Sequence, residues 1–276
     1  MPEQDLLKKL STELKIRGFS QETVKAYTRH NSDFIKYTNK EPGSVSEDEI
    51  KSYLAYLISD KKLSSSSVAI VRSSLLFFYN QVLNKGFSAI RTPKIQRNQP
   101  EVLSKDEIKT LIEACSNDKS RLLVQFLYSS GLRVSECLRL KVEELDFKDN
   151  VCNVKQGKGR KDRMTLLSIS LAEQIKDFLK KENIDSGVIF RNKEGKMFTV
   201  RNAQKIVSNT AKRAGIKKQV TPHKLRHSFA THLLDSGVSI RVIQELLGHS
   251  NLQTTQIYTR VSKEHIMNVK SPLDDL

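Results

Sequence analysis

The sequence predicts a mainly α-helical protein with one small β-hairpin, an α+β class, built as two domains. Apolar residues recur at helical spacing along most of the chain, and residues 151–169 place apolar and β-branched residues on both sides of a Gly-x-Gly turn. Residues 91–104, "RTPKIQRNQPEVLS", hold two of the six prolines and no glycine, and they break the helical pattern. We therefore predict a helical domain at 1–92, a linker at 93–103 and a second domain at 104–276.

Four helical patterns precede the linker and predict a small all-α domain. Ser46 and Glu49 have the spacing of a capping box, and "LSSSS" at 63–67 offers hydroxyl caps for the fourth helix, which we expect to end near Gly86. The apolar residues of the four patterns are Leu6, Leu7, Leu10 and Leu14; Val24, Tyr27, Phe34 and Ile35; Ile50, Tyr53, Leu54 and Leu57; and Val68, Val71, Leu75 and Phe78.

The second domain begins with helical runs. Ser104 and Glu107 form another S-x-x-E pattern and predict a helix that extends to about Cys115. A second helical run ends at Gly131, and "GLRVSECLRLKVEEL" at 131–145 resumes the helical pattern.

The predicted hairpin follows, with strands at 151–155 and 163–169 and a strongly basic tip. The remainder of the chain is predicted to be helical. Gly248 is placed to cap one of these helices, and Ser250 with Gln253 predicts the start of the next, which carries Tyr258.

The stretch "TPHKLRHSFATHLL" at 221–234 predicts a helix with unusual polar content. Thr221 and Pro222 are typical of an N-cap and a first-turn proline. Leu225, Phe229 and Leu233 recur every four residues and predict an apolar side, whereas a second side carries His223, Arg226, His227 and Ala230. Because these polar and charged side chains are costly to bury, their concentration indicates a polar partner for that second side.

The charge of the chain predicts a polyanionic partner. The net charge is +16 and the pI is about 9.7. Lys and Arg outnumber Asp and Glu by 16 to 10 in residues 1–98 and by 31 to 21 in the remainder, so both halves carry the excess. An even excess favours two domains that face the same nucleic acid over a single basic tail.

Other compositional features exclude several classes of protein. No run of eighteen apolar residues occurs, and "MPEQDLLKKL" lacks the features of a signal peptide, so we expect a cytoplasmic, nucleoid-associated protein without membrane insertion. Cys115, Cys137 and Cys152 are odd in number and far apart, which argues against a disulfide framework or a zinc knuckle. We expect them to be small core residues.

Six polar residues of the second domain have a common chemical logic. Two arginines suit the non-bridging oxygens of a phosphate, histidine and lysine can move protons, and tyrosine is a possible oxygen nucleophile. Each residue taken alone has a simpler structural interpretation, but together they indicate phosphoryl transfer. They are Arg133 in "GLRVSE", Lys158 in "GKGRKDR", His223 and Arg226 in "HKLRH", His249 in "LGHS" and Tyr258 in "TTQIYTR".

These motifs, in this order and at these approximate spacings, resemble those of the tyrosine recombinases, and within them the Xer-type recombinases. The resemblance covers the whole chain. It implies an N-terminal helical core-binding domain of SAM-like type and a catalytic domain, which together form a C-shaped clamp on DNA. One departure is Arg260 in "YTRV", where many Xer-type sequences have histidine.

The resemblance also implies a role for each candidate residue. Tyr258 would be the nucleophile that forms a 3′-phosphotyrosyl link, and His223 the general base. Arg133 and Arg226 would stabilise the charged phosphorus centre. His249 would donate a hydrogen bond to the same phosphate, and Lys158 would protonate the leaving 5′-oxygen. Glu136 would hold the catalytic residues in position without contacting the DNA.

Partners follow from the same resemblance. It implies double-stranded DNA with inverted-repeat half-sites, and a dimer and synaptic tetramer joined through the C-terminal tail at 261–276. It also implies a Holliday junction, resolution of chromosome dimers, and no metal, ATP or other cofactor. A second recombinase or a cell-division translocase is a possible further partner. The target site is left open, and so is the alternative function of integrating or excising a mobile element.

Three alternative functions fit the sequence less well than a recombinase. A DNA-binding protein of the same fold without catalysis would not need the complete set of six residues. A type IB topoisomerase shares the chemistry, but the short helical N-terminal domain favours a recombinase. A zinc site at His223 and His227 is disfavoured because Lys224 stands where the zincin pattern requires glutamate.

Overall fold

The computed structural model describes residues 3–88, 90–93, 101–155, 162–192 and 194–248. The chain divides into two units, 1–98 and 99–276. This division falls inside the stretch predicted as a linker, while the precise domain limits stay a prediction. Because each unit has a buried apolar cluster of its own, each has the core that a separate domain requires.

The first unit is helical, as its apolar periodicity predicts. Glu49 donates its backbone N–H to the Ser46 hydroxyl and accepts the Ser46 N–H at 2.8 Å, and Ser64 caps the fourth helix, so both predicted caps are confirmed. The last helix leaves regular α geometry earlier than its expected end near Gly86. The elements are α1 (Glu3–Ile16), α2 (Gln21–Thr38), a 3₁₀ turn (Pro42–Ser44), α3 (Glu47–Ser59), α4 (Ser65–Phe77) and a π turn (Phe78–Val82).

The core of this unit holds most of the predicted apolar residues, with Leu7 and Tyr27 only partly buried. Two polar side chains, those of Asn31 and Ser74, are buried among them. Asn31 on α2 donates to the Tyr27 carbonyl at 2.9 Å and to the Ser74 hydroxyl of α4 at 3.0 Å. These hydrogen bonds fix α2 against α4.

The second unit is mainly helical around a small sheet. The Ser104–Glu107 capping box is confirmed, and the helix it opens ends at Glu113, two residues before the expected end. The elements are α5 (Lys105–Glu113), α6 (Asp118–Ser129), α7 (Val134–Arg139), a 3₁₀ turn (Val142–Glu144), β1 (Leu145–Asp146), β2 (Val151–Val154), β3 (Arg163–Leu166), α8 (Ile169–Lys181), α9 (Val200–Arg213), α10 (Pro222–Asp235) and α11 (Ile240–Leu247).

This unit differs from the prediction in several places. The helix predicted within 131–145 ends at Arg139, and the second strand of the hairpin ends at Leu166 and not at 169, because Ile169 begins α8. The predicted hairpin, β2 and β3, gains a third antiparallel strand, because β1 pairs with β2 at Leu145–Cys152 and Asp146–Val151. Residues 182–199 were expected to be helical, and this is wrong: Gly187 and Gly195 have positive φ values, and the Asn192 side chain accepts the N–H groups of two residues that follow it. These turn features terminate helical geometry between α8 and α9.

The cysteines are as expected. Cys115, Cys137 and Cys152 are all buried and carry free thiols. Burial raises the pKa of the Cys152 thiol to about 12, which keeps it protonated and unreactive at neutral pH. Among the residues that the structure describes, no helix has the length and apolar character needed to cross a membrane.

Candidate active site

Helix α10 begins as its sequence predicts, with the Thr221 hydroxyl accepting the Lys224 N–H at 3.2 Å and Pro222 in the first turn. Leu225 and Phe229 are buried on the apolar side. The other side is not open to solvent along its length, because Arg226, His227 and Ala230 are also buried and only His223 is exposed. The helix is therefore packed on most of its circumference, and the charged Arg226 needs partners within the protein.

Arg226 finds these partners at the ends of two other helices. Its Nη1 donates to the Gly131 carbonyl after α6, and its Nη2 donates to the Leu247 carbonyl at the end of α11 at 2.7 Å. Gly131 has a φ of +59°, and a Cβ atom there would lie 2.4 Å from the Phe229 ring. A residue without a side chain is therefore required where Arg226 docks.

Arg133 and Glu136 form a close ion pair at the start of α7. Arg133 Nη1 donates to Glu136 Oε1 at 2.7 Å, and the Arg133 backbone N–H donates to Oε2 at 2.9 Å. The Glu136 side chain is only 8% exposed, whereas that of Arg133 is 27% exposed. Arg133 is thus held by a buried carboxylate and stays reachable from outside.

A third arginine joins this cluster and was not among the predicted site residues. Arg163, the first residue of β3, donates to both Glu136 oxygens, at 3.1 Å from Nη1 and 2.7 Å from Nη2, and its side chain is 10% exposed. In sequence it is one of several basic residues near the hairpin tip. The only local signal is strand alternation, which places Arg163 on the same face as the buried Thr165.

The C-terminal end of α11 connects all three arginines. The Leu246 carbonyl accepts from Arg163 Nε at 2.9 Å, the Leu247 carbonyl from Arg226, and the Gly248 carbonyl from Arg133 Nη2 at 3.4 Å. Carbonyls at a helix C-terminus lack partners within the helix and carry partial negative charge, so cations bind there favourably. Three successive carbonyls thereby hold Arg163 of β3, Arg226 of α10 and Arg133, the residue that caps the start of α7.

Glu136 is ionised in this cluster. Burial alone would raise the pKa of its carboxyl, but the hydrogen bonds and charge of Arg163, together with the hydrogen bonds of Arg133, lower it to about 2. Arg226 Nη1 lies 4.0 Å from Glu136 Oε2. Three guanidinium groups thus surround one carboxylate, which leaves a local excess of two positive charges suited to an anion such as phosphate.

His223 lies beside the arginines and is exposed. Its pKa is lowered from 6.5 by partial burial and then by the charges of Arg226 and Arg133, so the neutral imidazole predominates at neutral pH. The His227 ring stands 4.2 Å away, centroid to centroid, and burial lowers its pKa to about 4. His232 instead pairs through Nδ1 with the Tyr128 hydroxyl at 2.9 Å.

Comparison with known proteins identifies the family. The phage integrase family matches residues 101–265, and the N-terminal SAM-like domain of phage integrases matches residues 6–88. The chain belongs to the phage integrase family. This recombinase is 38% identical over 267 residues to tyrosine recombinase XerA of Pyrococcus furiosus, covering 95% of this chain and 91% of the relative. It is 36% identical to tyrosine recombinase XerC of Thermodesulfovibrio yellowstonii, covering 92% and 90%.

Solved structures agree with this assignment. A crystal structure of XerA recombinase is 30% identical, covers 96% of each chain and has a TM-score of 0.57. The XerH site-specific recombinase bound to its difH substrate is 22% identical, covers 97% of this chain and 83% of that chain, and shares the fold at a TM-score of 0.76. The resemblance inferred from the motifs is therefore confirmed: this is an Xer-type tyrosine recombinase, an enzyme that cleaves and rejoins DNA strands in site-specific recombination.

The structure of the recombinase brings together four of the predicted site residues, Arg133, Glu136, His223 and Arg226. Lys158, His249 and Tyr258 lie outside the described residues. In the described ranges, no group of three or more His, Cys, Asp or Glu side chains is placed to hold a metal ion, so His223 and His227 have no third ligand there.

Proposed function

We propose that this recombinase cleaves DNA by attack of the Tyr258 hydroxyl on a scissile phosphate. The tyrosine oxygen forms a bond to phosphorus, the 5′-oxygen leaves, and the products are a 3′-phosphotyrosyl link and a free 5′-hydroxyl. The observation that carries the proposal is the convergence of Arg133 and Arg226 on the buried Glu136, with His223 beside both arginines. This arrangement combines two cations with a neutral base, and these are the groups that attack of a tyrosine hydroxyl on a phosphate requires.

Arg133 and Arg226 are proposed to neutralise charge on the non-bridging oxygens of the phosphate. Arg226 is fixed by two backbone carbonyls and Arg133 by Glu136, so neither guanidinium needs to reorganise as the reaction proceeds. Donors fixed in advance stabilise a transition state more than mobile donors do. His249, which follows Gly248 in sequence, is proposed to donate a further hydrogen bond to the same phosphate.

His223 and Lys158 are proposed to move the two protons of the reaction. An ordinary tyrosine has a pKa near 10, so attack at neutral pH needs a base. The lowered pKa of His223 keeps its imidazole unprotonated and able to accept that proton. Lys158 would then donate a proton to the departing 5′-oxygen.

We further propose that the enzyme exchanges strands through a Holliday junction and resolves chromosome dimers. It would bind double-stranded DNA with inverted-repeat half-sites, form a dimer on one site and a tetramer on two, and use the tail at 261–276 to contact the neighbouring protomer. The support is the similarity along most of the chain to recombinases named XerA and XerC. The even distribution of positive charge supports DNA contacts by both units, and a cytoplasmic, nucleoid-associated location follows from such a role.

The test uses a suicide substrate. DNA trapped covalently on the protein in cells would first be sequenced to obtain the target site. A duplex of that site with a nick near the scissile phosphate should then accumulate a covalent protein–DNA adduct, which Tyr258→Phe should abolish without loss of DNA binding. Tyr128→Phe is the matched control because it removes another hydroxyl of the same unit, and it should keep the adduct. An adduct that persists in Tyr258→Phe would refute the assigned nucleophile, and no adduct with any variant would favour DNA binding without catalysis.

A further inference from the structure

We propose that Arg163 is a positioning residue for DNA cleavage, which acts through Glu136 on the Arg133 guanidinium. The inference rests on the proposed function, since it assigns Arg133 to the phosphate. Arg163 would not itself touch the DNA. Its task would be to occupy the Glu136 carboxylate so that Arg133 keeps one orientation and part of its charge for the substrate.

Glu136 is bound more extensively by the side chain of Arg163 than by that of Arg133. Each of its carboxylate oxygens accepts one hydrogen bond from Arg163, so the guanidinium of Arg163 binds the carboxylate through both terminal nitrogens. Arg133 makes a single short side-chain bond, from Nη1 to Oε1. Bidentate pairing of guanidinium and carboxylate is the stronger arrangement, so Arg163 is the principal counter-ion of Glu136.

Loss of Arg163 would change the contacts of Arg133 with Glu136. If Arg163 were absent, Glu136 could accept both terminal nitrogens of Arg133, and it could also approach Arg226, whose Nη1 is now 4.0 Å from Oε2. Either movement would direct the arginine charge toward the carboxylate and away from a phosphate. With Arg163 in place, three cations face one anion and the excess charge remains available.

A second contact ties the same residue to the end of α11. Arg163 Nε donates to the Leu246 carbonyl, and a Cβ atom added at Gly248 would lie 2.7 Å from Arg163 Cδ. Arg226 and Arg133 bind the next two carbonyls. Arg163 therefore also fixes the carbonyls to which both proposed phosphate ligands are attached.

The test compares cleavage and binding in matched variants of the full chain. Arg163→Met should cleave the nicked suicide substrate about 10- to 100-fold more slowly, as expected for loss of transition-state stabilisation, and should bind DNA within about threefold of wild type. Arg163→Lys keeps the positive charge but cannot bind both carboxylate oxygens through two nitrogens, so its cleavage rate should lie between those of Arg163→Met and wild type. Arg139→Met removes an exposed arginine at the end of α7 and should cleave at the wild-type rate.

A double-mutant cycle separates a positioning role from a structural one. If Arg163 acts through Glu136, Arg163→Met should slow Glu136→Gln by less than about threefold further, because coupled residues are not additive. The rate constant is measured separately from the amplitude, since a merely structural role would lower the active fraction and leave the rate constant unchanged. Arg163→Lys provides the same comparison if Arg163→Met does not fold.

Three outcomes would overturn the inference: a wild-type rate constant in Arg163→Met, multiplicative effects in the double variant, or an equal loss in Arg139→Met. The wild-type chain and Tyr258→Phe are tested in parallel. A Tyr258-dependent adduct combined with a wild-type rate in Arg163→Met would refute only this inference, whereas an adduct independent of Tyr258 would refute the proposed function instead.

Discussion

At the residue scale, Arg133 and Arg226 occupy different environments although both are proposed to bind the phosphate. The Arg226 side chain is 3% exposed and bonds two backbone carbonyls, whereas Arg133 is partly accessible. Arg133→Ala and Arg226→Ala should each bind DNA with an affinity within about tenfold of wild type, which corresponds to about 1.4 kcal/mol of binding free energy. Both variants should cleave DNA far more slowly than wild type. Arg226→Ala alone should also lose about 2–4 kcal/mol of unfolding free energy, because the carbonyls of Gly131 and Leu247 lose their donors.

Filter-binding titrations, single-turnover cleavage and denaturant unfolding measure these three quantities. Equal losses of affinity and rate would make the two arginines DNA-binding groups instead of transition-state ligands. Equal losses of unfolding free energy in both variants would contradict the structural role given to Arg226.

A second prediction at this scale concerns pH. The pKa of His223 is lowered below 6.5, so its neutral form, the one that can accept a proton, predominates above that value and is lost as the pH falls through the lowered pKa. Wild-type cleavage should therefore change little between pH 7 and 8 and decline as the pH falls through the lowered pKa of His223. The neighbouring His227 has a pKa of about 4 and would titrate at lower pH.

Single-turnover rates of wild type, His223→Ala and His232→Gln between pH 5 and 8 test this assignment. The decline should disappear in His223→Ala, at a much lower rate, and persist in His232→Gln, which alters a histidine of the same helix that pairs with Tyr128. A decline that survives in His223→Ala would assign the base to another group.

At the element scale, the hairpin joins two chemical tasks. Its strand β3 supplies Arg163 to the Glu136 cluster, and the basic sequence between β2 and β3 contains Lys158, the proposed general acid. A substrate with sulfur at the 5′-bridging position has a leaving group that needs no proton. Lys158→Ala should therefore be defective on the ordinary phosphate and recover on the sulfur substrate, while Arg163→Met should not recover, because its defect lies in the arginine cluster.

Cleavage of both substrates by each variant gives the measurement. Absence of sulfur rescue in Lys158→Ala would remove its general-acid role. Rescue of Arg163→Met to the same degree would show that Arg163 acts mainly through the proton transfer assigned to Lys158.

The elements also show which features the sequence alone could predict. The helix starts at Ser46 and Ser104 were predicted because the glutamate partner of each cap lies three residues away, and the start at Thr221 was predicted because a proline follows the cap. The strand β1 was missed because two residues show no periodicity, and the turns within 182–199 were assigned to a helix.

The candidate site also contains some contacts that the sequence could predict and others that it could not. Arg133 and Glu136 are a local pair, one helical turn apart, and their motif was visible in the sequence. Arg163 reaches Glu136 across 27 residues and Leu246 across 83, so its partners are set by tertiary packing. The burial of Arg226 was likewise invisible, because helical periodicity identifies a side of α10 without specifying what covers it.

At the scale of the whole molecule, each unit has its own apolar core and its own excess of positive charge, +6 for residues 1–98 and +10 for the remainder. If the two units bind one duplex, linkage makes the second contact intramolecular and strengthens the whole. Pieces separated within residues 93–103 should therefore each fold with a cooperative transition, and each should bind target DNA more weakly than the intact chain.

Salt dependence identifies the reason for the weaker binding. Because each neutralised phosphate contributes nearly one unit to the slope of log K against log salt, the slope of the intact chain should exceed that of either piece. The control is an intact chain carrying a flexible insertion at the same point, which should lose much less affinity than the separated pieces. If the N-terminal piece folds but shows no affinity for DNA at low salt, the two units do not share the duplex, and the positive charge of residues 1–98 must serve solubility or another partner.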